Sequence, residues 1–370
     1  MVEARTAVRG TAWAIYTILV GEILFLISPL APLFYSFYGP VLRFLDSHRE
    51  TAWLTQFFLP HISVTGNPLL DLLPPLGWVL LVLGTVFFLA SAVPLYWSMA
   101  TRRSQVVGGL YNIIRHPQYV GLAIMGFGVL LVWPRFLVLV SLLVMLGLYR
   151  VFAGTEESQC LARFGDSYRA YMARTGRFLP RAWADRLPRI LPEEGPGRIA
   201  AGIAVFLAVL GGSLAAAFVL RGYALSQVAA LYHEQEAILS PSGMAARDLE
   251  SAYRTAVADP AVRAALGAAL PGQRLVYVVP QDWTLLPAAA RPEANGIPLR
   301  KDAFDRTRYK LLFARARSHD PEAAGQEIVK DAYGLDPIIF AHVDIAARKV
   351  TAIEQPPAHV RWADIPIPMF

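Results

Sequence analysis

Residues Ile199 to Leu220 read I-A-A-G-I-A-V-F-L-A-V-L-G-G-S-L-A-A-A-F-V-L, an uncharged run of 22 residues bounded by Arg198 and Arg221. At about 1.5 Å rise per residue this run is long enough to cross a hydrocarbon core of roughly 30 Å as one helix. Leu72 to Thr101 is also uncharged, and its Pro74-Pro75 pair places the expected helix at 76–98. Nearer the start, Arg5 and Arg9 precede apolar sequence from Thr11 to Tyr38. A cleaved signal peptide is the competing reading, disfavoured by the length of the run and by the lack of an A-x-A-like site after it.

Composition agrees with these runs. Of the 370 residues, 55% are hydrophobic and 17% charged, against about 25% charged in average soluble chains. This excludes a disordered, collagen-like or disulfide-rich secreted protein and argues against an ordinary soluble enzyme. The single cysteine, Cys160, excludes an intramolecular disulfide and any Cys-based zinc or iron–sulfur site within this chain alone. The net charge of +6 comes from arginines beside apolar segments rather than from a nucleic-acid motif, so no nucleic-acid partner is expected.

Gln118 to Trp133 and Phe136 to Tyr149 are two shorter apolar runs around a Trp133-Pro134-Arg135 break. They read either as two tilted spans or as a hairpin that crosses only partly, and in both cases the chain returns to the side it left. Arginine placement orients the whole. Arg5, Arg9, Arg102, Arg103, Arg115, Arg150, Arg163, Arg169, Arg174, Arg177, Arg181, Arg186 and Arg189 fall on one side, against Arg43, Arg49 and Arg135 on the other. By the positive-inside rule the N-terminus, 99–117 and 150–197 are cytoplasmic, and 39–75 and 222–370 lie outside. Glu22, inside the first run, reads either as a carboxylate facing a protein interior or as a helix-end charge near the headgroups.

The expected fold is thus an all-α polytopic membrane domain of about five transmembrane helices, N-terminus inside, followed by an extracytoplasmic α+β domain. The expected segments are 1–180, a Pro- and Arg-rich linker at 181–197, the final span at 198–221 and the outer domain at 222–370. In that domain Ala224 to Leu239 and Ala245 to Ala258 have helical patterns. Arg274 to Val279, Tyr309 to Ala316, Ile338 to Ile345 and Val350 to Glu354 have strand composition. His233 and Glu236 would sit at i, i+3 on the first of those helices, a metal-compatible spacing with no further ligand in register. His342 and Asp344 would form a surface pair on one strand face. Trp283, Trp362 and the prolines at 356, 357, 366 and 368 read as an extended tail suited to a partner surface.

The chemistry-bearing stretch runs from Gly109 to Pro180. It holds G-L-Y-N-I-I-R-H-P-Q-Y-V-G (Gly109 to Gly121), then T-E-E-S-Q-C-L-A-R-F-G-D-S-Y-R-A-Y (Thr155 to Tyr171), then R-F-L-P (Arg177 to Pro180). Tyr111, Arg115, His116 and Tyr119 recur at about one helical turn just before an apolar run, and Pro117 suits the first turn of the helix it opens. Glu156, Glu157, Phe164, Tyr168 and Tyr171 belong to a helix or helix pair interrupted at Gly165. If the hairpin folds back, Glu156 and Glu157 meet Arg115 and His116 at the membrane face. That charged pocket would suit a zwitterionic ligand, a carboxylate for the guanidinium and an amine or sulfonium for the glutamates. Taken singly, each residue also has a bland account as an interfacial anchor or a solvated charge.

The ordered set resembles the isoprenylcysteine carboxyl methyltransferase and phospholipid methyltransferase superfamily of membrane proteins over residues 75–180. The matching pieces are R-H-P-x-Y-x-G at Arg115 to Gly121, the preceding Gly109-x-Tyr111, the Glu156-Glu157 pair, F-G-x-x-Y-x-x-Y from Phe164 to Tyr171, and R-F-L-P. The resemblance implies an integral membrane S-adenosylmethionine-dependent methyltransferase in a bacterial inner membrane, with a lipid-like or membrane-embedded acceptor: a carboxylate, amine or thiol. It implies a cofactor site lined by Tyr111, Arg115, His116, Pro117, Tyr119, Gly121, Glu156, Glu157 and Tyr168, with Arg115, His116 and Glu157 as candidate catalytic residues. A carboxylate acceptor needs no base, whereas an amine or thiol would lose its proton to His116 or a glutamate. Val107, Leu110 and Thr175-Gly176 depart from the superfamily's usual residues at their positions.

Two rival readings stand beside this one. Membrane sterol reductases, which use NADPH, share R-H-P-x-Y-x-G and an aromatic-Gly-x-x-aromatic tail, and Cys160 is similar to a cysteine they carry. A non-catalytic subunit of a larger membrane complex, with protein partners at 222–370, would account for an outer domain that methyl transfer to a small lipid does not require.

Overall fold

The computed structural model describes residues 41–42, 44–45, 47–60, 63–100, 108–186, 188, 197–282 and 304–356. The expected first span with Glu22, most of the 181–197 linker, Arg102, Arg103, Trp283 and the tail from Pro357 lie outside the described residues. Among the described residues, contacts group the chain into two compact units. One draws on Leu73–Trp133 and Leu137–Ala216, the other on Tyr35–Leu72, Pro134–Phe136 and Ala217–Phe370.

In the first unit, α1 (Pro68–Ala100), α2 (Pro117–Val132), α3 (Phe136–Phe164), α4 (Asp166–Arg174) and α5 (Gly197–Ser226) follow in order. Three of these, α1, α3 and α5, are long and apolar enough to cross a membrane, while α2 is a shorter apolar helix. Helix α1 starts before its expected boundary at 76. Pro68 opens it, and Asn67 caps it by accepting from Leu69 N at 2.9 Å. Pro74 and Pro75 lie within α1 near that capped end, where lost donors disturb the helix least. Helix α3 likewise runs unbroken through Tyr149 to Phe164, so the glutamate pair sits on the same rod as the apolar run. Gly165, at φ 54, separates α3 from α4.

Helices α1 and α2 pack antiparallel, backbone against backbone. A Cβ on Gly84 would come within 2.5 Å of Met125 N, one on Gly121 within 2.7 Å of Phe88 N, and one on Gly128 within 2.6 Å of Leu81 N. Gly77 closes the set, its Cβ position lying 2.8 Å from Gly128 O. On each helix the glycines are one heptad apart, so a single seam of hydrogens lets the two rods touch, the small-residue packing that apolar solvent favours. Helix α5 leans on α3 at Gly147, where an added Cβ would lie 3.3 Å from the Phe206 ring, and leaves most of its apolar surface open.

The second unit carries a six-stranded sheet in the order β1-β2-β3-β4-β5-β6. Its strands are Ala229–Tyr232, Glu236–Ser240, Arg274–Pro280, Arg308–Ser318, Ala332–Asp344 and Lys349–Glu354. Only β2 and β3 pair in parallel. That crossover is supplied by α6 (Ala246–Ala258) and α7 (Pro260–Ala268). Asp259 joins them by accepting from Ala261 N at 2.8 Å and Val262 N at 3.2 Å. The core sits between these helices and one sheet face, with Leu249, Ala252, Ala256, Val276, Val278, Leu311 and Phe313 buried. A last helix, α8 (Gln326–Asp331), lies between β4 and β5.

Three expectations for this domain are corrected. The helix expected at Ala224 to Leu239 is instead the end of α5 followed by the β1–β2 hairpin. Its Ala/Leu composition favours helix, but pairing of β2 along β3 satisfies the backbone in the sheet, and tertiary context outweighs propensity. His233 and Glu236 therefore close a turn, His233 N donating to Glu236 O at 2.8 Å, and are not partners on a helix. His342 is buried rather than on the surface, its Nε2 3.2 Å from Glu354 Oε1.

The same unit gathers the 49–72 stretch and the tip between α2 and α3. Phe57 and Arg135 bridge antiparallel, Phe58 N donates to Pro134 O at 2.9 Å, and Phe136 N donates to Gln56 O at 3.1 Å. Arg135 is 1% exposed. Its guanidinium donates to Thr55 O at 2.5 Å and lies 4.3 Å from the Phe57 ring centre. Arg221 is also buried, donating to Gln56 Oε1 at 2.6 Å and Lys330 O at 3.0 Å. Two charges counted on sequence grounds as loop and flank are thus interior clamps on one short stretch, 55–58.

Candidate functional site

The site is built from three separate stretches in the first unit. Gly109, at φ 60, turns the chain into one turn of 3-10 helix, Gly109–Asn112. The chain then straightens and pairs with the stretch before R-F-L-P. Arg115 N donates to Gly176 O at 2.8 Å, and His116 N donates to Arg177 O at 3.1 Å. The turn that follows is so tight that a Cβ on Gly176 would lie 1.8 Å from Leu179 O. Gly176, one of the departures noted above, is therefore the residue this turn requires. Pro117 then opens α2 at its first position.

The third stretch is α3. Glu157, 3% exposed, is where the cations converge. Arg115 Nε donates to its Oε1 at 2.7 Å, and Arg177 Nε donates to both oxygens at 3.0 and 3.1 Å, with Arg177 Nη2 as a further donor. His116 Nε2 lies 3.3 Å from Oε1. Arg115 Nη1 is in turn held by the carbonyls of Met172 and Thr175. Glu156 is set differently. Tyr119 Oη donates to its Oε1 at 2.6 Å, and His116 Nδ1 lies 3.3 Å from its Oε2. It has no guanidinium partner among the described residues, and its side chain is 34% exposed.

Rings stack beneath the charges. His116 stacks on Tyr119 at 5.7 Å, and Tyr119 stacks on Tyr149 at 5.0 Å. Phe178 lies 5.9 Å from the His116 ring. Burial alone would lower the His116 pKa, but hydrogen bonding and attraction to Glu156 and Glu157 outweigh it and hold the value above the ordinary one. Burial pushes the Tyr111 and Tyr168 hydroxyls well above their usual range, and that of Tyr171 up to about 12. All three remain neutral donors near neutral pH.

The structure brings Arg115, His116, Tyr119, Glu156 and Glu157 into one cluster. Tyr111 supports it from outside: its hydroxyl donates to Ser91 O at 3.2 Å and Gln118 Oε1 at 3.3 Å, while its carbonyl accepts from Tyr171 at 2.7 Å. Tyr168, buried on α4, packs against Tyr171 at 5.6 Å, with its hydroxyl against Cys160. Gly121 faces α1 and touches Phe88. Sequence reasoning passed over Arg177 as a site residue although R-F-L-P carries it, and over Tyr149, which marked only the end of an apolar run. Among the described residues no group of three or more His, Cys, Asp or Glu side chains is placed to hold a metal ion.

Comparison with curated proteins and with solved structures gives no match to this chain. A family comparison does give one, and it covers the α1–α3 core with the glutamate pair: residues 75–167 match the phospholipid methyltransferase family, the membrane methyltransferase kinship that the Arg115-to-Gly121 signature implies.

Proposed function

We propose that this chain is an integral membrane S-adenosylmethionine-dependent methyltransferase acting on a lipid-like or membrane-embedded acceptor. One observation carries the reading: Arg115 and His116 lie within 2.7 and 3.3 Å of Glu157, across the α2–α3 hairpin. A methyltransferase of the matched family typically uses S-adenosylmethionine. The donor set suits that group. Glu156 offers a partly exposed carboxylate without a guanidinium partner, and Arg177, 26% exposed, offers a partly open cation. A zwitterionic amino-acid end needs one of each.

When bound, the cofactor would supply an activated methyl group on a sulfonium. The chain's own work is positional. Arg177 would fix the ligand's carboxylate while Arg115 holds Glu157 in place, Glu156 would face its amine or sulfonium, and the Tyr119–Tyr149 stack would shut water out beneath it. The arginine distribution supports placing this site at the cytoplasmic face, with 222–370 outside.

Titration of the purified full chain with S-adenosylmethionine, by calorimetry, tests the reading. Wild type binds, and Arg115→Ala and Glu157→Ala each weaken binding at least tenfold. Intact binding in both variants overturns the site assignment, and absent binding by wild type overturns the catalytic reading. The full engagement of Glu157 by the chain's own cations favours the subunit reading in that last case, to be checked by copurification at fixed stoichiometry.

A further inference from the structure

We infer that His116 is a fixed, doubly protonated cation that ties Glu156 to Glu157, a positioning residue and not the base of the reaction. The inference rests on the proposed methyltransferase reading only for the word reaction; the protonation state follows from the ring's surroundings. Nδ1 lies 3.3 Å from Glu156 Oε2, and Nε2 lies 3.3 Å from Glu157 Oε1. A neutral imidazole has one N–H and one lone pair. Nε2 meets Glu157 in hydrogen-bonding geometry, whereas Nδ1 is paired with Glu156 by distance and charge without an aligned hydrogen bond. Either neutral tautomer would set an unprotonated nitrogen beside a carboxylate, and only the imidazolium sets a positive N–H beside each.

The remaining neighbours do not reverse this. Beside it in the chain the ring has Arg115, from α2 it has the stacked Tyr119 hydroxyl, and from the 176–180 turn it has Arg177 and the Phe178 ring. Both guanidinium groups are directed at Glu157 and not at Glu156. Glu156, whose other partner among the described residues is the Tyr119 phenol, sets its Oε2 beside Nδ1 while Glu157 meets Nε2. The ring is 3% exposed and pinned by stacking, so turning it away from either glutamate would require Tyr119 or Phe178 to move.

The chemical consequence concerns proton traffic. An imidazolium has no lone pair with which to accept a proton from an amine or thiol. A carboxylate acceptor needs no such step. Any acceptor that does carry a proton must pass it to Glu156, whose side chain is the partly exposed one of the pair.

The test is histidine NMR on the full chain in lipid nanodiscs, without cofactor. The chain has 7 histidines but only one Arg-His dipeptide, Arg115-His116. Carbonyl-labelled Arg with uniformly labelled His therefore assigns the signal without any variant. The expected result is an imidazolium pattern at both ring nitrogens near pH 7, with a midpoint above the free value of about 6.5, and a lower midpoint in Glu156→Gln. A neutral-tautomer pattern near pH 7, or a midpoint that Glu156→Gln leaves unchanged, overturns the proposal. Because no cofactor is present, failure of S-adenosylmethionine binding is a separate result and leaves this one readable.

Discussion

Glu157 Oε1 accepts from Arg115 Nε at 2.7 Å, although 42 residues and an apolar hairpin separate the two in sequence. Arg177 approaches the same carboxylate from the other side. Removing that carboxylate strands one buried guanidinium and one partly exposed one, and breaking a buried pair from one side costs about 3 kcal/mol or more. Glu157→Gln should therefore lower the melting temperature of the detergent-solubilised protein by several degrees. Glu156→Gln, which strands no guanidinium, should lower it by much less. Thermal unfolding followed by tryptophan fluorescence checks the order.

The glycine seam gives a second expectation. Gly121 and Gly84 have backbone atoms of the facing helix within 2.7 and 2.5 Å of where a Cβ would sit, so even alanine must push the helices apart. Gly121→Ala should destabilise by about 1–3 kcal/mol, as overpacking does. Gly154 lies inside α3 with nothing within 4 Å of its Cβ position. Gly154→Ala should be neutral or stabilise by up to about 1 kcal/mol through helix propensity. Opposite signs for the same chemical change, read by thermal unfolding, would locate the seam.

Much of this was legible in the sequence. Ile199 to Leu220 is a helix because nothing in it competes with one, and Arg115 meets Glu157 because a hairpin must return its ends to one place. What was not legible depends on partners far along the chain. Ala224 to Leu239 has helical composition, yet from Ala229 its backbone is satisfied by a sheet whose centre lies at Arg274 to Ser318. Arg135 reads as a loop charge, and only the carbonyl of Thr55 and the ring of Phe57 make it an interior group. The heptad spacing of Gly77 with Gly84 and of Gly121 with Gly128 was present all along, but it acquires meaning only when the two helices are seen to run antiparallel.

Arg135 makes a third expectation. Arg135→Met keeps the length and apolar stem but removes the donor to Thr55 O, leaving a buried carbonyl with one partner fewer. The loss should be about 1–3 kcal/mol. It should show locally, as faster protease cleavage within 49–60, because that stretch is held to the 134–136 tip by this contact and a few backbone bonds. Limited proteolysis of wild type and variant under native conditions measures it.

The pH dependence follows from the raised His116 pKa. A histidine whose folded value lies above its unfolded one contributes stability that is fully present below about pH 6.5 and is lost as pH rises through the folded value. Wild type should therefore lose melting temperature relative to His116→Gln as pH is raised above neutrality, and the two curves should run parallel below about pH 6. S-adenosylmethionine affinity should fall over the same interval, since the glutamates lose the cation between them. A dependence of the reverse sign would indicate a histidine that is neutral in the folded protein.

The orientation proposed from the arginines can be read directly. The 49–60 stretch, the 134–136 tip and the sheet belong to one unit, and the proposed orientation puts that unit outside. The glutamate pair lies near the far end of α3 from that tip, 20 residues or about 30 Å of helix beyond Phe136. In a Cys160→Ser background, Ala347→Cys, exposed on the β5–β6 turn, and Ala170→Cys, exposed on α4, bracket the two sides. An impermeant maleimide applied to intact cells should label position 347 and spare 170 until the membrane is opened. Labelling of 170 alone would invert the topology and place the charged cluster outside. Equal labelling of both in intact cells would mean that α5 does not carry the chain across.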